Sequence, residues 1–280
     1  MKTIKNYVLA IISLVIFSAS GQNKAFEVSI VGTGDPILFF PGFTCPGEVW
    51  EDVVAELSKS NTCHVFTFAG FGTVPAIERP WLPKIKEGIS QYISENQLQN
   101  ATIVGHSLGG TLGLWLASDD LFDFKKIIVV DALPSTGALM IPNFDSETMV
   151  YDNPFNQNLL TMDDAQFGIM ASQMASGMVL NKNKHEQIKK WILQTDRETY
   201  VYGYTDLLKL DLREAVANIT VPVTILAATQ PYGETSVKTI YEEQYKNLKG
   251  YTIKYAADAA HFIMYDQPDW LLTNISQALQ

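Results

Sequence analysis

Residues 101–118 read ATIVGHSLGGTLGLWLAS. The opening of this stretch, 101–104, is a short run dominated by β-branched residues and predicts a buried strand. Its close, 108–118, predicts a helix. Gly105-His106-Ser107-Leu108-Gly109 joins the two, a G-x-S-x-G spacing between strand and helix. The chemistry explains the spacing. A serine at so sharp a turn takes a strained backbone conformation. The glycines two before and two after it let neighbouring elements approach closely, and Gly110 adds room. The turn lifts the Ser107 hydroxyl above the sheet edge, and the helix N-terminus beneath it favours developing negative charge. The plainer reading is a structural glycine turn carrying an idle serine.

Outward from this stretch, short apolar strands alternate with helical patterns. Strands are expected at 26–31, 37–40, 64–68 and 126–130, the last ending in Asp131. Helices are expected at 49–59 and 82–95, where apolar residues recur on one face. The rhythm then changes. From about 132 to 213 no buried strand is evident, and segments such as 162–180 and 184–194 read as helices. The alternation resumes with a strand at 221–228, a helix at 236–248, a strand at 251–255 and a helix at 268–279 that opens on proline. Such alternation predicts an α/β class with a mostly parallel sheet flanked by helices. Residues 22–131 and 214–280 would form the core, and 132–213 a helical lid inserted after the strand that ends at Asp131.

Composition narrows the function. The chain has 280 residues, 47% of them hydrophobic and 18% charged, which is globular and sufficient for a large core. Its net charge of −10 disfavours binding to nucleic-acid phosphates. Two cysteines and four histidines, with no H-E-x-x-H pattern, argue against a metal centre. At the N-terminus, Lys2 and Lys5 precede an apolar run at 7–17, followed by Ser18, Ala19, Ser20 and Gly21. This is the pattern of a cleaved signal peptide, residues 1–21. The run is shorter than the ~20 residues a membrane span needs. Export would place Cys45 and Cys63 in an oxidising compartment, yet the strand pattern sets them at opposite ends of parallel strands. That separation exceeds the ~7 Å a disulfide allows.

Several blocks together resemble the α/β-hydrolase fold family. GTGDPILFFPGF at 32–43 looks like the family's turn, third strand and oxyanion loop. AGFG at 69–72 looks like its fourth-strand end, VGHSLGG at 104–110 its nucleophile elbow, and HFIMYDQP at 261–268 its catalytic-histidine loop and last helix. The order and spacing of these blocks carry the resemblance across nearly the whole mature chain. It implies that Ser107 is the nucleophile and His261 the base that takes its proton. It implies oxyanion donors at the Phe43 and Leu108 backbone N–H groups, with Pro41-Gly42 where the family usually has His-Gly, and with the Thr44 hydroxyl nearby. The acid has two candidates. Asp131 directly follows four apolar strand residues, where an ionised carboxylate needs a partner such as His261. Glu234 is the acid in the loop after the 221–228 strand. The remaining histidines read as structural: His106 as packing or orienting, His64 as opening a strand at the opposite sheet edge, His185 as solvated.

Six of the eight methionines fall between Met140 and Met178, and Met170, Met174 and Met178 recur every four residues. They read as ordinary packing of a lid helix or as an adaptable apolar wall over the site. The expectation is an exported serine hydrolase, periplasmic or secreted. It would cleave a small or medium apolar carboxylic ester through an acyl-enzyme, without a cofactor. Peptidase, lactonase, thioesterase and carbon–carbon bond hydrolase chemistry remain open, as does a non-catalytic ligand-binding protein on the same fold.

Overall fold

Seven strands form one sheet in the order β1-β3-β2-β4-β5-β6-β7 in a computed structural model that describes residues 24–280. The strands are β1 (Phe26–Gly32), β2 (Asp35–Phe40), β3 (Asn61–Phe68), β4 (Thr102–His106), β5 (Lys126–Val130), β6 (Val223–Ala228) and β7 (Tyr251–Ala256). β1 runs antiparallel to β3, and every other pairing is parallel. The expected signal peptide lies outside the described residues. Among the described residues, no helix is long and apolar enough to cross a membrane.

The central strands are buried on both faces, as parallel strands covered by helices must be. Alternate residues sort by face. Leu38, Phe40, Ile127 and Val129 join one core layer, which contains α2 (Trp81–Glu95), α3 (Leu108–Ser118) and α9 (Glu234–Gln244). Ile37, Phe39, Ile128 and Val130 join the other, with α1 (Glu51–Leu57), α10 (Ile263–Asp266) and α11 (Pro268–Leu279). Two helix bounds match the pattern of the sequence, 108–118 and 268–279. The expected helix at 49–59 is instead a 3₁₀ turn, Gly47–Trp50, running into α1.

Between β5 and β6 the chain makes no strand. It forms α4 (Thr136–Met140), α5 (Pro154–Thr161), α6 (Asp164–Met178), α7 (His185–Gln194) and, after a π-helical turn at Thr199–Gly203, α8 (Tyr204–Lys209). Asp163 caps α6, its carboxylate accepting the Gln166 N–H at 2.8 Å. Phe167, Ala171 and Ala175 form the fully buried face of α6, while Met170, Met174 and Met178 lie half-buried beside it.

Two side chains sit differently from expectation. His64 lies within β3, not at its start. It is buried, with its Nδ1 2.8 Å from the Tyr92 hydroxyl. His185 is half-buried, with its Nε2 3.1 Å from the Val179 carbonyl oxygen, so it is tied to the end of α6 instead of solvated. Cys45 and Cys63 are free, buried thiols, and burial pushes the Cys63 thiol up to about 11.

The strand–turn–helix at Ser107 depends on its glycines. A Cβ on Gly105 would lie 2.2 Å from the Gly109 carbonyl oxygen, and one on Gly109 would lie 2.3 Å from the Phe40 carbonyl oxygen. Both obstacles are backbone, so neither can swing aside. Gly109→Ala must push α3 off β2 and is expected to cost about 3 kcal/mol or more, read as a lowered urea midpoint. An unchanged midpoint would show that α3 can shift freely.

Candidate active site

The neighbouring ends of β4 and β5 and the loop that follows β7, with β6 between, bring the site together. His106, the last residue of β4, pairs with Val130 of β5. Ser107 follows with φ 52° and ψ −122°, and its N–H donates to the Val130 carbonyl at 2.9 Å. Positive φ is uncommon for a residue with a side chain, so the turn holds Ser107 under strain. Its hydroxyl does not cap α3. Register therefore sets Ser107 alongside Asp131, one strand spacing away, roughly 4.8 Å across the sheet. Asp131 also has positive φ, 45°, and its N–H donates to the Leu226 carbonyl of β6 at 2.8 Å.

The Asp131 carboxylate is fully engaged. Its Oδ2 lies 2.6 Å from His261 Nδ1. Its Oδ1 accepts the Ala228 N–H at 2.8 Å and the Tyr241 hydroxyl at 3.0 Å. Burial pushes this carboxyl up. The hydrogen bond and charge of His261, with the Ala228 and Tyr241 donors, outweigh that and hold it below the usual carboxylate range. An ionised Asp131 accepts the His261 Nδ1 proton, leaving Nε2 as the acceptor face of the ring. Glu234 stands apart from this arrangement. It lies at the start of α9, exposed, and pairs with Lys238 at 2.5 Å.

The His261 loop is pinned by Asp266, a residue that the sequence did not mark. Its carboxylate accepts the N–H groups of Ala260, Leu180 and Asn181, each at 2.9 Å, joining this loop to the end of α6. Phe262 N–H donates to the Met178 carbonyl at 3.1 Å and strengthens the same joint. Tyr241 was also missed. Its one visible signal is an aromatic residue with a polar tip on the buried face of α9.

The Phe43 and Leu108 N–H groups donate to no protein acceptor among the described residues. Gly42 brings the Phe43 loop against the serine turn, since a Cβ at Gly42 would be 2.7 Å from His106 Nδ1 and 3.4 Å from Ser107 Cβ. Thr44 is buried with φ 66°. The Phe43 ring is enclosed by Phe71, Tyr204, Tyr200 and Trp81, at centroid distances of 5.2, 5.4, 5.8 and 6.1 Å. Tyr200 and Tyr204 donate their hydroxyls to the sulfurs of Met174 and Met140, at 3.2 and 3.0 Å. The π-helical turn and α8 thus supply the tyrosines, and α6 and α4 the thioethers, of a wall beside the Phe43 loop. Among the described residues, no group of three His, Cys, Asp or Glu is placed to hold a metal ion.

His106 is fully buried, and burial first, then the nearby His261, pushes its pKa down to about 3. Burial also lowers that of His64. His106 therefore stays neutral in the folded protein where it would charge, near 6.5, in the unfolded chain, and the lowered His64 acts in the same direction. Below pH 6.5 the unfolded chain therefore binds more protons than the native one, and stability falls. The urea midpoint is expected to drop steadily as pH is lowered from about 6.5 toward 3. A midpoint flat between pH 6.5 and 5 would contradict neutral burial of His106.

A parallel sheet carrying a strained serine at the end of its central strand, beside a paired aspartate and histidine, defines a recognisable class. The chain belongs to the alpha/beta hydrolase family, whose model matches residues 37–273. It is 19% identical to 3-oxoadipate enol-lactonase 1 of Acinetobacter baylyi over 263 residues, covering 92% of this chain and 93% of that protein. It is 26% identical to the pimeloyl-[acyl-carrier protein] methyl ester esterase of Vibrio cholerae over 208 residues, covering 72% and 78% respectively. The enol-lactonase of Burkholderia xenovorans superposes with a TM-score of 0.76 at 17% identity, covering 91% of this chain and 96% of that one.

Proposed function

We propose that the protein is a serine hydrolase of carboxylic esters. Ser107 Oγ attacks the ester carbonyl carbon while His261 Nε2 takes its proton. The carbonyl oxygen, now negative, is held by the Phe43 and Leu108 N–H groups. The C–O bond to the alcohol breaks, and His261 returns the proton to the departing oxygen. Water then attacks the acyl-enzyme, giving its proton to His261, and the acid leaves as Ser107 is restored. Asp131 holds the His261 ring in the required tautomer and faces its charged form.

The observation that carries this reading is the 2.6 Å contact of Asp131 with His261 Nδ1, one strand away from a serine strained out of the sheet. The aromatic and thioether wall supports a small or medium apolar ester. Both named relatives act, by their names, on ester bonds, and the enol-lactonase favours a cyclic ester as a second reading within the same chemistry. The segment 132–213 acts as the lid in this reading. Export is part of the proposal, supported by the charged start, the apolar run and the small residues at 18–21.

A fluorophosphonate probe tests the reading directly. The folded wild type should be labelled on Ser107, and Ser107→Ala should not be labelled at all. A folded wild type that takes up no probe would leave the ligand-binding reading in its place.

A further inference from the structure

His106 is a buried titratable group at the site that this mechanism leaves unused. Its Nε2 lies 2.9 Å from the His261 carbonyl oxygen, so Nε2 carries the proton and donates it. Its Nδ1 is buried and has no hydrogen-bond partner among the described residues. That unpaired edge faces the Phe43 loop, where a Cβ on Gly42 would be 2.7 Å from Nδ1. The ring itself packs against those of His261, Phe262 and Trp50, at centroid distances of 4.7, 5.0 and 6.4 Å. Trp50 is in turn anchored by its indole N–H, which donates to the Phe40 carbonyl at 3.1 Å.

One neutral ring therefore touches all three loops that the reaction uses. It precedes Ser107 in the chain, holds the backbone of His261, and fills the place of a side chain at Gly42, next to Phe43. We propose that His106 is a positioning residue that couples the height of the His261 ring to the oxyanion loop through its Nε2–H bond to the His261 carbonyl. This rests on the reading of Ser107 and His261 as nucleophile and base. A buried ring that only filled space would be served by any aromatic of its size. It would gain nothing from a nitrogen aimed at that carbonyl, and would not carry an orphaned Nδ1, which costs free energy.

The test compares His106→Phe, which keeps the ring and removes both nitrogens, with His106→Gln, whose amide nitrogen falls near the Nε2 position. p-Nitrophenyl acetate serves as the probe ester, and the proton resonance of His261 Nδ1–H reports the ring's geometry. His106→Phe should lower kcat by about 10- to 100-fold with KM unchanged, the scale of a reacting group displaced by a fraction of an ångström to an ångström. Its His261 Nδ1–H resonance should shift or broaden. His106→Gln should restore both. A wild-type kcat and an unmoved resonance in His106→Phe would overturn the proposal, as would His106→Gln failing as badly as His106→Phe. Should His106→Phe not fold, His106→Gln is set against His106→Asn, whose shorter amide stops near Nδ1. Gln ahead by about tenfold supports the bond to the carbonyl, and equal rates refute it. Fluorophosphonate labelling separates the two readings. An unlabelled wild type removes the nucleophile and base themselves, whereas a labelled wild type with unaffected variants removes only the role of His106.

Discussion

Ser107→Ala is expected to lower kcat for ester hydrolysis by about 10⁴-fold or more while leaving KM and the urea midpoint near those of the wild type. The loss is large because, in the proposed mechanism, Ser107 Oγ is the group that forms the acyl-enzyme. The residual rate would come from the Phe43 and Leu108 donors acting on a bound ester attacked directly by water. The fold should tolerate the change, since the Ser107 hydroxyl does not cap α3. Alanine keeps the Cβ, and the strained φ of 52° is held by the surrounding register, not by the hydroxyl. The measurement is single-turnover and steady-state hydrolysis of one ester by both proteins. A variant that retains more than about a hundredth of wild-type kcat would mean that the carbonyl is attacked by something other than Ser107.

The second large effect belongs to Asp131→Asn, expected to reduce kcat by about 10³- to 10⁴-fold. The structure explains the direction. Two donors, the Ala228 N–H and the Tyr241 hydroxyl, point at the Oδ1 position. An asparagine there turns its carbonyl oxygen toward them and its amide NH₂ toward His261. Nδ1 of His261 must then accept, which places the ring proton on Nε2, the atom that takes the proton of Ser107 in the proposed mechanism. Glu234→Gln is the control. Its carboxylate makes an exposed, solvent-screened pair with Lys238, away from His261, and kcat should stay within about twofold of wild type. Rates measured side by side decide between the acids. A loss confined to Glu234→Gln would move the acid to the later loop.

The pH behaviour of Asp131 follows from the same contacts. Its carboxyl titrates below the usual range in the folded protein, so the stability it contributes is present above about pH 4 and is lost as pH falls through the lowered value. Asp131 is therefore ionised, as its contact with His261 Nδ1 requires, at any pH at which the ester reaction would be run.

The amino-acid sequence by itself determined the strand–turn–helix at 101–118, the alternation around it and the interruption between β5 and β6. These are local matters. A run of β-branched residues, a glycine two positions from a serine, and a 3.6-residue apolar period act within a few residues of one another. Periodicity does not report how a helix begins, which is why the helix expected at 49–59 opens with a 3₁₀ turn, Gly47–Trp50, before α1.

The tertiary structure decided which acid meets His261. Asp131 and Glu234 both follow strands and both precede His261, and chain order cannot separate them. The loop after β7 reaches past the end of β6 and brings His261 Nδ1 to Asp131 across 130 residues, while Glu234 turns outward to Lys238. The same holds for Tyr241, Asp266 and the Ala228 N–H, whose neighbours come from other elements. His106 shows it most directly. Its position within the serine turn is written in the chain, but its hydrogen bond spans 155 residues to the His261 carbonyl. Such contacts exist only once sheet order and register are set, because a hydrogen bond needs its partners within about 3 Å and no short stretch of sequence encodes that approach.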